Sequence, residues 1–364
     1  MRKLGISLYA EKSDKKEMKK YIDLAYDAGF SRIFSCLLSV NSSVDKIKKD
    51  FLEINTYAKD KGFEVFVDVS PKVFDKFNIS YQNLSFFKEI GADGIRLDAG
   101  FTGNEESMMT FNEQGLKVEI NMSNDTHYID TIMDYQPNKY NLVGCHNFYP
   151  HKYSGLSLEH FIKCNENFKK YGLRTACFVT TQNKNAYGPW DIKDGLPTLE
   201  MHRYIPIVSQ IKHLICLGSI DDIIISNCYP TKKELNEIKQ IRLDLVSFKV
   251  HLIDNIPSIE RKIILNELHF NRGDYNQSMI RSTQSRVKYK DYNFGIINIP
   301  REIKKGDIII ESSSYGHYAG ELQIAKVDMI NSGNSNVFGH IDDDELFLLD
   351  YIKPWQKFVF YTGE

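Results

Sequence analysis

The chain has 364 residues, and its 46 basic and 48 acidic side chains leave a formal net charge of −2. This length accommodates two domains, and the near-neutral balance excludes a global positive field for nucleic acid. No apolar run approaches the roughly 20 residues of a membrane-spanning helix, and Met1-Arg2-Lys3 leads into a strand pattern rather than a secretory signal. The six cysteines are scattered, as expected for buried, reduced thiols. We therefore expect a cytoplasmic protein with neither nucleic acid nor membrane as a partner.

Strand-like and helix-like segments alternate regularly along the first 239 residues. Amphipathic helices are predicted between the strands, and several of them end at a glycine such as Gly29, Gly62 or Gly172. This rhythm is typical of parallel βαβ units closed into a (β/α)8, or TIM, barrel. The strands are predicted at 3–9, 32–38, 63–70, 93–98, 117–121, 141–149, 173–180 and 222–227.

Beyond residue 239 the pattern changes to short β-rich runs separated by turn sequences. The runs are predicted at 307–311, 320–328, 345–351 and 358–361. We expect a TIM-barrel catalytic domain over 1–239 and a smaller, mainly β domain over 240–364. Because the second domain follows the last barrel helix directly, we expect it to lie across the open barrel mouth.

The fourth and fifth predicted strands carry charged residues on one face. Alternation along a strand places Arg96 and Asp98 together, and Glu119 and Asn121 together, opposite apolar neighbours. Strands about 4.8 Å apart would bring the carboxyl groups of Asp98 and Glu119 near the roughly 5 Å separation of retaining glycosidases. We therefore predict Asp98 and Glu119 as catalytic. The alternative is that Arg96 or Lys117 neutralises both in a structural ion-pair layer.

Function in TIM barrels lies at the carboxyl ends of the strands. The position of His146 at a strand end is compatible with three roles: a proton carrier, a ligand, or an interior histidine whose ring nitrogens are hydrogen-bonded. No spacing of His, Asp or Glu suggests a metal site, and no glycine-rich nucleotide motif occurs, so we expect no catalytic metal and no cofactor. The strand-end rule selects the 181–203 loop and Tyr9, Asp68, Asp98, Glu119, Asn121, His146, Asn147, Tyr149, Thr180 and Asn227.

Three arginines in the second domain, Arg272, Arg281 and Arg286, fall within fifteen residues of one another. Arginine binds phosphate and carboxylate through its planar fork of donors. The cluster therefore suggests an anion site if this domain folds over the barrel mouth. A solvated basic hairpin face is the alternative.

Several stretches together resemble the bacterial 6-phospho-N-acetylmuramidase family, formerly labelled uncharacterised or outer surface proteins. They are 3–9 (KLGISLY), 93–98 (DGIRLD), 146–150 (HNFYP), 154–156 (SGL), 194–200 (DGLPTLE), 202–203 (HR) and 271–272 (NR). The resemblance implies a TIM barrel joined to a cyclophilin-like domain. It also implies hydrolysis of the β-1,4 bond between N-acetylmuramic acid 6-phosphate and N-acetylglucosamine during cytoplasmic peptidoglycan recycling. Ser226-Asn227 departs from the Gly-Asp pair expected after the eighth strand.

A small phosphorylated amino-sugar disaccharide fits the residues already selected. Its phosphate and lactyl carboxylate require positive partners, and its rings require an aromatic platform, for which Phe148, Tyr187 and Trp190 are further candidates. Packing of Trp190 against Pro189 is the alternative for that residue. The predicted substrate-binding residues are Tyr9, Arg96, Asn121, His146, Asn147, Tyr149, Glu200, Arg203, Arg272 and Arg281.

Three other classes share parts of this pattern. A pyridoxal-phosphate racemase needs a lysine near the end of an early strand, and Lys3 lies at the opposite end. A metal-dependent sugar-phosphate isomerase or epimerase needs a recognisable spacing of His, Asp or Glu metal ligands, and the absence of that spacing counts against this class. A non-catalytic carbohydrate-binding protein is the third. The roles of acid and nucleophile are not assigned between the two predicted carboxylates.

Overall fold

A computed structural model of the protein describes residues 1–38 and 43–363. The chain divides into two compact units. The first comprises Met1–Leu214 and Gly218–Gln240, and the second comprises Ile215–Leu217 and Ile241–Glu364.

The first unit is a closed barrel of eight parallel strands in chain order, with β8 paired back to β1. This confirms the predicted (β/α)8 fold class. The strands are β1 (Lys3–Leu8), β2 (Arg32–Cys36), β3 (Glu64–Val69), β4 (Gly94–Leu97), β5 (Lys117–Asn121), β6 (Leu142–Cys145), β7 (Arg174–Val179) and β8 (Asp222–Ile225).

Helices follow the strands and cover the outside of the barrel. They are α1 (Lys15–Asp27), α2 (Val44–Asp60), α3 (Pro71–Lys76), α4 (Ser85–Glu89), α5 (Asn104–Met109), α6 (Tyr128–Asp134), α7 (Leu158–Lys169), α8 (Ile207–Leu217) and α9 (Lys232–Lys239). Their caps are local: the hydroxyl of Ser157 accepts from the backbone of His160 in α7, and Thr231 forms a capping box with Glu234 in α9.

Two prolines explain where the helices differ from their predicted bounds. Pro71 begins α3 instead of only ending β3, because a proline at the first helical position lacks an N–H that would be unpaired anyway. Pro206 precedes α8, which starts at Ile207 rather than near residue 198, because the residue before a proline avoids the helical region.

The second unit contains a seven-stranded sheet in the order β10-β17-β9-β16-β13-β14-β11 and a separate pair, β12-β15. Its neighbours are antiparallel except for β17 and β9. Its strands are β9 (Val246–Leu252), β10 (His269–Phe270), β11 (Met279–Ser282), β12 (Glu302–Ile303), β13 (Asp307–Glu311), β14 (Leu322–Ala325), β15 (Met329–Ile330), β16 (Ser335–Ile341) and β17 (Lys357–Tyr361), with helices α10 (Ser258–Asn266) and α11 (Gln284–Lys288). The prediction of a mainly β unit is confirmed.

The predicted strand at 345–351 is wrong, because Asp343–Tyr351 is a 3-10 helix. The side chain of Asp342 caps it by accepting from the backbone of Asp344. Its buried residues Glu345, Leu348 and Leu349 lie at helical spacing, which the period-two interpretation missed.

The barrel interior is unusually charged and is organised in layers. Near the amino ends of the strands, Glu64 accepts from Lys3 at 2.7 Å and from Lys117. In the middle layer, Arg32 is paired with Glu119 and, at 2.6 Å, with Asp222. These middle side chains are at most 1% exposed, so each charge depends on its partner for the solvation that water would otherwise supply.

Removing the central arginine should therefore destabilise the barrel strongly. Arg32→Met leaves Glu119 buried without its cation, and the free energy of unfolding should fall by about 3–5 kcal/mol. The chain has two tryptophans, so fluorescence of Trp190 in a Trp355→Phe background reports barrel unfolding in urea.

The matched control is Lys233→Met, which removes an exposed ion pair with Glu237 on α9. It should change the free energy of unfolding by no more than about 0.5 kcal/mol. Equal effects of the two substitutions would show that the buried layer does not hold the barrel together.

Candidate active site at the barrel mouth

A third charged layer lies at the carboxyl ends of β3 and β4. Asp68 and Arg96 are register partners on the two strands, and Arg96 Nη1 donates to Asp68 at 2.6 Å and to Asp98 at 3.3 Å. Asp68 and Arg96 are buried, whereas the Asp98 side chain is 42% exposed. The structure thus brings two carboxyl groups to one arginine, one of them open to solvent.

Burial sets the acidity of Asp68. The loss of solvation raises the pKa of its carboxyl group to about 7, against the lowering effect of Arg96 and with a further rise from the charge of Asp98. A carboxyl group with this pKa holds its proton for about half the time at neutral pH. It is therefore suited to donate a proton.

Asn147 joins this cluster from the end of β6. Its Oδ1 accepts from Arg96 Nη2, and its backbone N–H donates to Ser123 Oγ at 2.7 Å. His146 lies behind it, with Nδ1 at 3.3 Å from Ser123 Oγ and Nε2 at 3.0 Å from Asn165 Oδ1. Arg96 is therefore oriented by the loop after β6 as well as by its carboxylates.

His146 is fully buried and stacks on Phe161. Burial lowers its pKa to about 3, so its imidazole is neutral at physiological pH. The structure places this ring in the wall of the barrel, where both nitrogens face side-chain partners. Asn121 acts nearby: its Nδ2 donates to the backbone oxygen of Asp98 at 3.0 Å and steadies the turn that carries this carboxylate.

An aromatic group lies on the loops that follow β6 and β7. The ring of Phe148 meets Phe34 and Phe178 edge-on, with centroids 5.9 and 5.0 Å away. Trp190 lies 5.8 Å from Phe148 and is 46% exposed, which leaves an indole surface for a sugar ring. Tyr9 is instead buried, and its hydroxyl donates to the backbone oxygen of Ser226.

Glu119 does not lie at the level of Asp98. Its register partner on β4 is Arg96, and its carboxylate, 0% exposed, pairs with Arg32 in the middle layer. Its Oε1 has no hydrogen-bond partner among the residues that the structure describes. Both predicted carboxylates face the interior as expected, but Glu119 sits deeper and already has a cation.

Glu200 and Arg203 form a buried clamp for the loops after β6 and β7. Arg203 makes two 2.6 Å contacts with Glu200, and its remaining donors reach the backbone oxygens of Tyr149, His151, Asp194 and Gly195. Arg203 holds the pKa of Glu200 down at about 2. The half-buried Tyr149 is thereby fixed through its backbone.

The second-unit arginines are also paired. Arg272 forms two contacts with Asp274, at 2.6 and 2.8 Å. Arg281 Nε donates to the fully buried Glu321 at 2.6 Å, and Arg286 Nη1 donates to the same carboxylate at 3.1 Å. Each of these cations therefore has an anionic partner within the unit.

The strand-end rule selects Asp68, although the predicted catalytic pair is Asp98 and Glu119. Asp68 lies near the end of β3 as the register partner of Arg96 on β4, so the alternation applied to β4 and β5 also places it on the charged face. No sequence pattern identifies Ser123 or Asn165, because a loop serine and a helical asparagine acquire their roles only through contact with His146.

Within residues 1–38 and 43–363, no three His, Cys, Asp or Glu side chains converge to hold a metal ion. None of the helices described there is both long and apolar enough to cross a membrane.

The first unit is a closed parallel barrel in which one arginine holds two carboxyl groups at the carboxyl ends of the strands. The loop after β7 adds an exposed tryptophan. These features define a TIM-barrel protein suited to sugar chemistry. Comparison with known families gives the particular group. The chain belongs to the 6-phospho-N-acetylmuramidase family: the family models described as "6-phospho-N-acetylmuramidase, N-terminal" and "6-phospho-N-acetylmuramidase, C-terminal" match residues 4–240 and 246–361. The family name denotes a glycosidase-type activity.

Two solved structures are similar over nearly the whole chain. An uncharacterized B. cereus protein shares 47% identity, covers 99% of both chains and has a TM-score of 0.89. A conserved Enterococcus faecalis protein with an unknown function shares 23% identity over 99% of this chain and 96% of its own, with a TM-score of 0.71. The second likeness shows the fold alone. No curated protein matches the chain.

The neutral, buried state of His146 should make the barrel sensitive to acid. Its pKa is lower in the folded protein, at about 3, than the unfolded value near 6.5, so the unfolded chain binds the extra proton between these pH values. Stability contributed by His146 is therefore present above pH 6.5 and lost as pH falls, by up to about 1.4 kcal/mol per pH unit.

Urea unfolding between pH 7 and 4, followed by Trp190 fluorescence, measures this slope. His146→Gln should reduce it, whereas His127→Gln, at a position whose side chain is 96% exposed, should leave it unchanged. A slope that is the same in all three proteins would contradict the assignment.

Proposed function

We propose that the protein hydrolyses the β-1,4 bond between N-acetylmuramic acid 6-phosphate and N-acetylglucosamine, with the Asp68–Arg96–Asp98 cluster as its catalytic centre. Family membership supports the glycosidase class. The observation that carries the assignment is the sharing of Arg96 by a buried and an exposed carboxyl group at the ends of neighbouring strands.

Glycoside hydrolysis needs one carboxylic acid that protonates the leaving oxygen and one carboxylate that acts as nucleophile or base. Asp68 suits the first role, because its pKa of about 7 keeps a proton available. Asp98 supplies the second from its exposed position on the same arginine. Glu119 is the competing second carboxylate, and it would have to leave Arg32 to reach a substrate.

The surroundings of the cluster suit an amino sugar. Trp190 and Phe148 pack together on the loops after β6 and β7 and offer an apolar surface of the kind that binds a sugar ring. Asn147 and Asn121 hold Arg96 and the Asp98 turn in position. We place the reaction in the cytoplasm, in peptidoglycan recycling, as the family resemblance implies. The expected position of the second unit over the barrel mouth stays a prediction.

Substitution of the carboxyl groups tests the catalytic assignment. Asp68→Asn and Asp98→Asn should each lower kcat by several orders of magnitude, because removing one catalytic group leaves only the acceleration from binding and positioning. KM should change far less. Release of N-acetylglucosamine from the phosphorylated disaccharide, assayed with and without a chelator, is the measurement.

Asp191→Asn is the control, since this fully exposed carboxylate pairs only with Lys12 among the described residues. Glu119→Gln decides between the two pairs: normal kcat assigns the chemistry to Asp68 and Asp98. A folded Asp68→Asn or Asp98→Asn variant with near-normal kcat would exclude that residue. Wild-type protein that binds the disaccharide without cleaving it would favour a non-catalytic carbohydrate-binding protein.

The acidity of Asp68 predicts the pH dependence of the reaction. A proton donor with a pKa of about 7 is competent below that pH and loses its proton above it. The value of kcat/KM should therefore fall about tenfold per pH unit on the alkaline side of pH 7. A profile that stays flat from pH 6 to 9 would remove Asp68 from the role of acid.

A further inference from the structure

A cavity of about 290 Å³ lies within the first unit, on the carboxyl side of β7 and β8. Lys152, Lys184 and Lys193 line it, together with Thr181 and Asn227, which follow the two strands. The cavity therefore belongs to the same end of the barrel as the carboxylate cluster. None of its lining residues has been given a role in bond cleavage.

The floor of the cavity is tied together by its own hydrogen bonds. Asn227 Oδ1 accepts from the Thr181 backbone at 2.9 Å and so bridges the ends of β7 and β8. The Gln182 backbone donates to Glu234 at 3.0 Å, and the Leu196 backbone donates to Thr180 Oγ1 at 3.0 Å. The loop is held by these bonds without use of the lysine ammonium groups.

The cavity carries an excess of positive charge. Arg203 also lines it, but Glu200 neutralises that guanidinium. Lys152 lies 3.4 Å from Asp194. Lys184 and Lys193 are exposed lining residues with no carboxylate at ion-pair distance in the part of the chain that the structure describes. They therefore add two positive charges at the cavity.

That charge matches one ligand class. A phosphate monoester carries about −1.5 to −2 charges at pH 7 and presents three strong acceptor oxygens. TIM barrels commonly bind phosphate with the loops that follow strands 7 and 8, the two strands at this cavity. A carboxylate would compensate only half of the charge.

We propose that this cavity is a phosphate-monoester subsite in which Lys184 and Lys193 hold the 6-phosphate of the sugar. The identity of the sugar depends on the proposed function, but phosphate binding does not. These lysines replace the arginines that the sequence analysis predicted as phosphate ligands, because Arg203, Arg272 and Arg281 already have carboxylate partners. Lysine ammonium groups on flexible stems can reach a phosphate without breaking an existing ion pair.

The test combines catalysis with a binding measurement that does not need turnover. The double variant Lys184→Gln/Lys193→Gln should lower kcat/KM for the phosphorylated disaccharide relative to its unphosphorylated form by about ten- to a hundredfold per lysine. In calorimetry, N-acetylmuramic acid 6-phosphate and inorganic phosphate should each bind the double variant at least about tenfold more weakly than wild type.

The matched control is Lys88→Gln/Lys239→Gln, which removes the same charge from the carboxyl ends of α4 and α9, at the opposite end of the barrel. It should leave both readouts unchanged, which separates local binding from net charge. Lysine-dependent phosphate binding without hydrolysis would uphold the subsite and overturn the proposed function. Hydrolysis of the phosphorylated disaccharide with unchanged selectivity in the double variant, or selectivity lost only in Arg281→Gln, would overturn the subsite.

Discussion

The pairing of buried arginines with carboxylates inside the barrel is the interaction on which the rest of the structure depends. A TIM barrel is normally filled by branched apolar side chains, whereas Arg32 and Arg96 occupy two levels of this one. A buried guanidinium is stable only when its donors are matched by anions or carbonyls. Glu119, Asp222 and Asp68 thus offset the cost of burying the same arginines that position them.

The same constraint creates chemical reactivity at the top layer. Arg96 has to satisfy both Asp68 and Asp98, and burial works against ionisation of the first. Burial raises the pKa of the Asp68 carboxyl group, whereas the Asp98 carboxyl group on the same arginine is exposed to solvent. Different environments for two carboxyl groups in one site allow one to act as acid and the other as base. The middle layer has the same charges without solvent access, and there the pairing with Arg32 stabilises the fold.

Arginine and lysine side chains have different roles around the barrel mouth. The planar fork of Arg203 matches Glu200 and four backbone oxygens at once, so this residue organises loops. Within residues 1–38 and 43–363, Lys184 and Lys193 form no ion pair, which suits them to the proposed phosphate subsite. Arginine and lysine carry the same charge, so a count of basic residues does not separate those that organise loops from those that can bind a ligand. The separation depends on which partners each side chain already has.

The sequence by itself determined the barrel, because period-two strands, amphipathic helices and glycine stops are local signals. It also determined which residues face the interior: alternation correctly placed Arg96, Asp98 and Glu119 on one side of their strands. Tertiary structure decided the level of each side chain. The staggered register of a closed barrel puts Asp68 beside Arg96 and Glu119 beside Arg32. The ion pairs that form depend on the relative heights of the strands in the barrel, and the protonation of each carboxyl group depends on its burial. Positions along the chain specify neither.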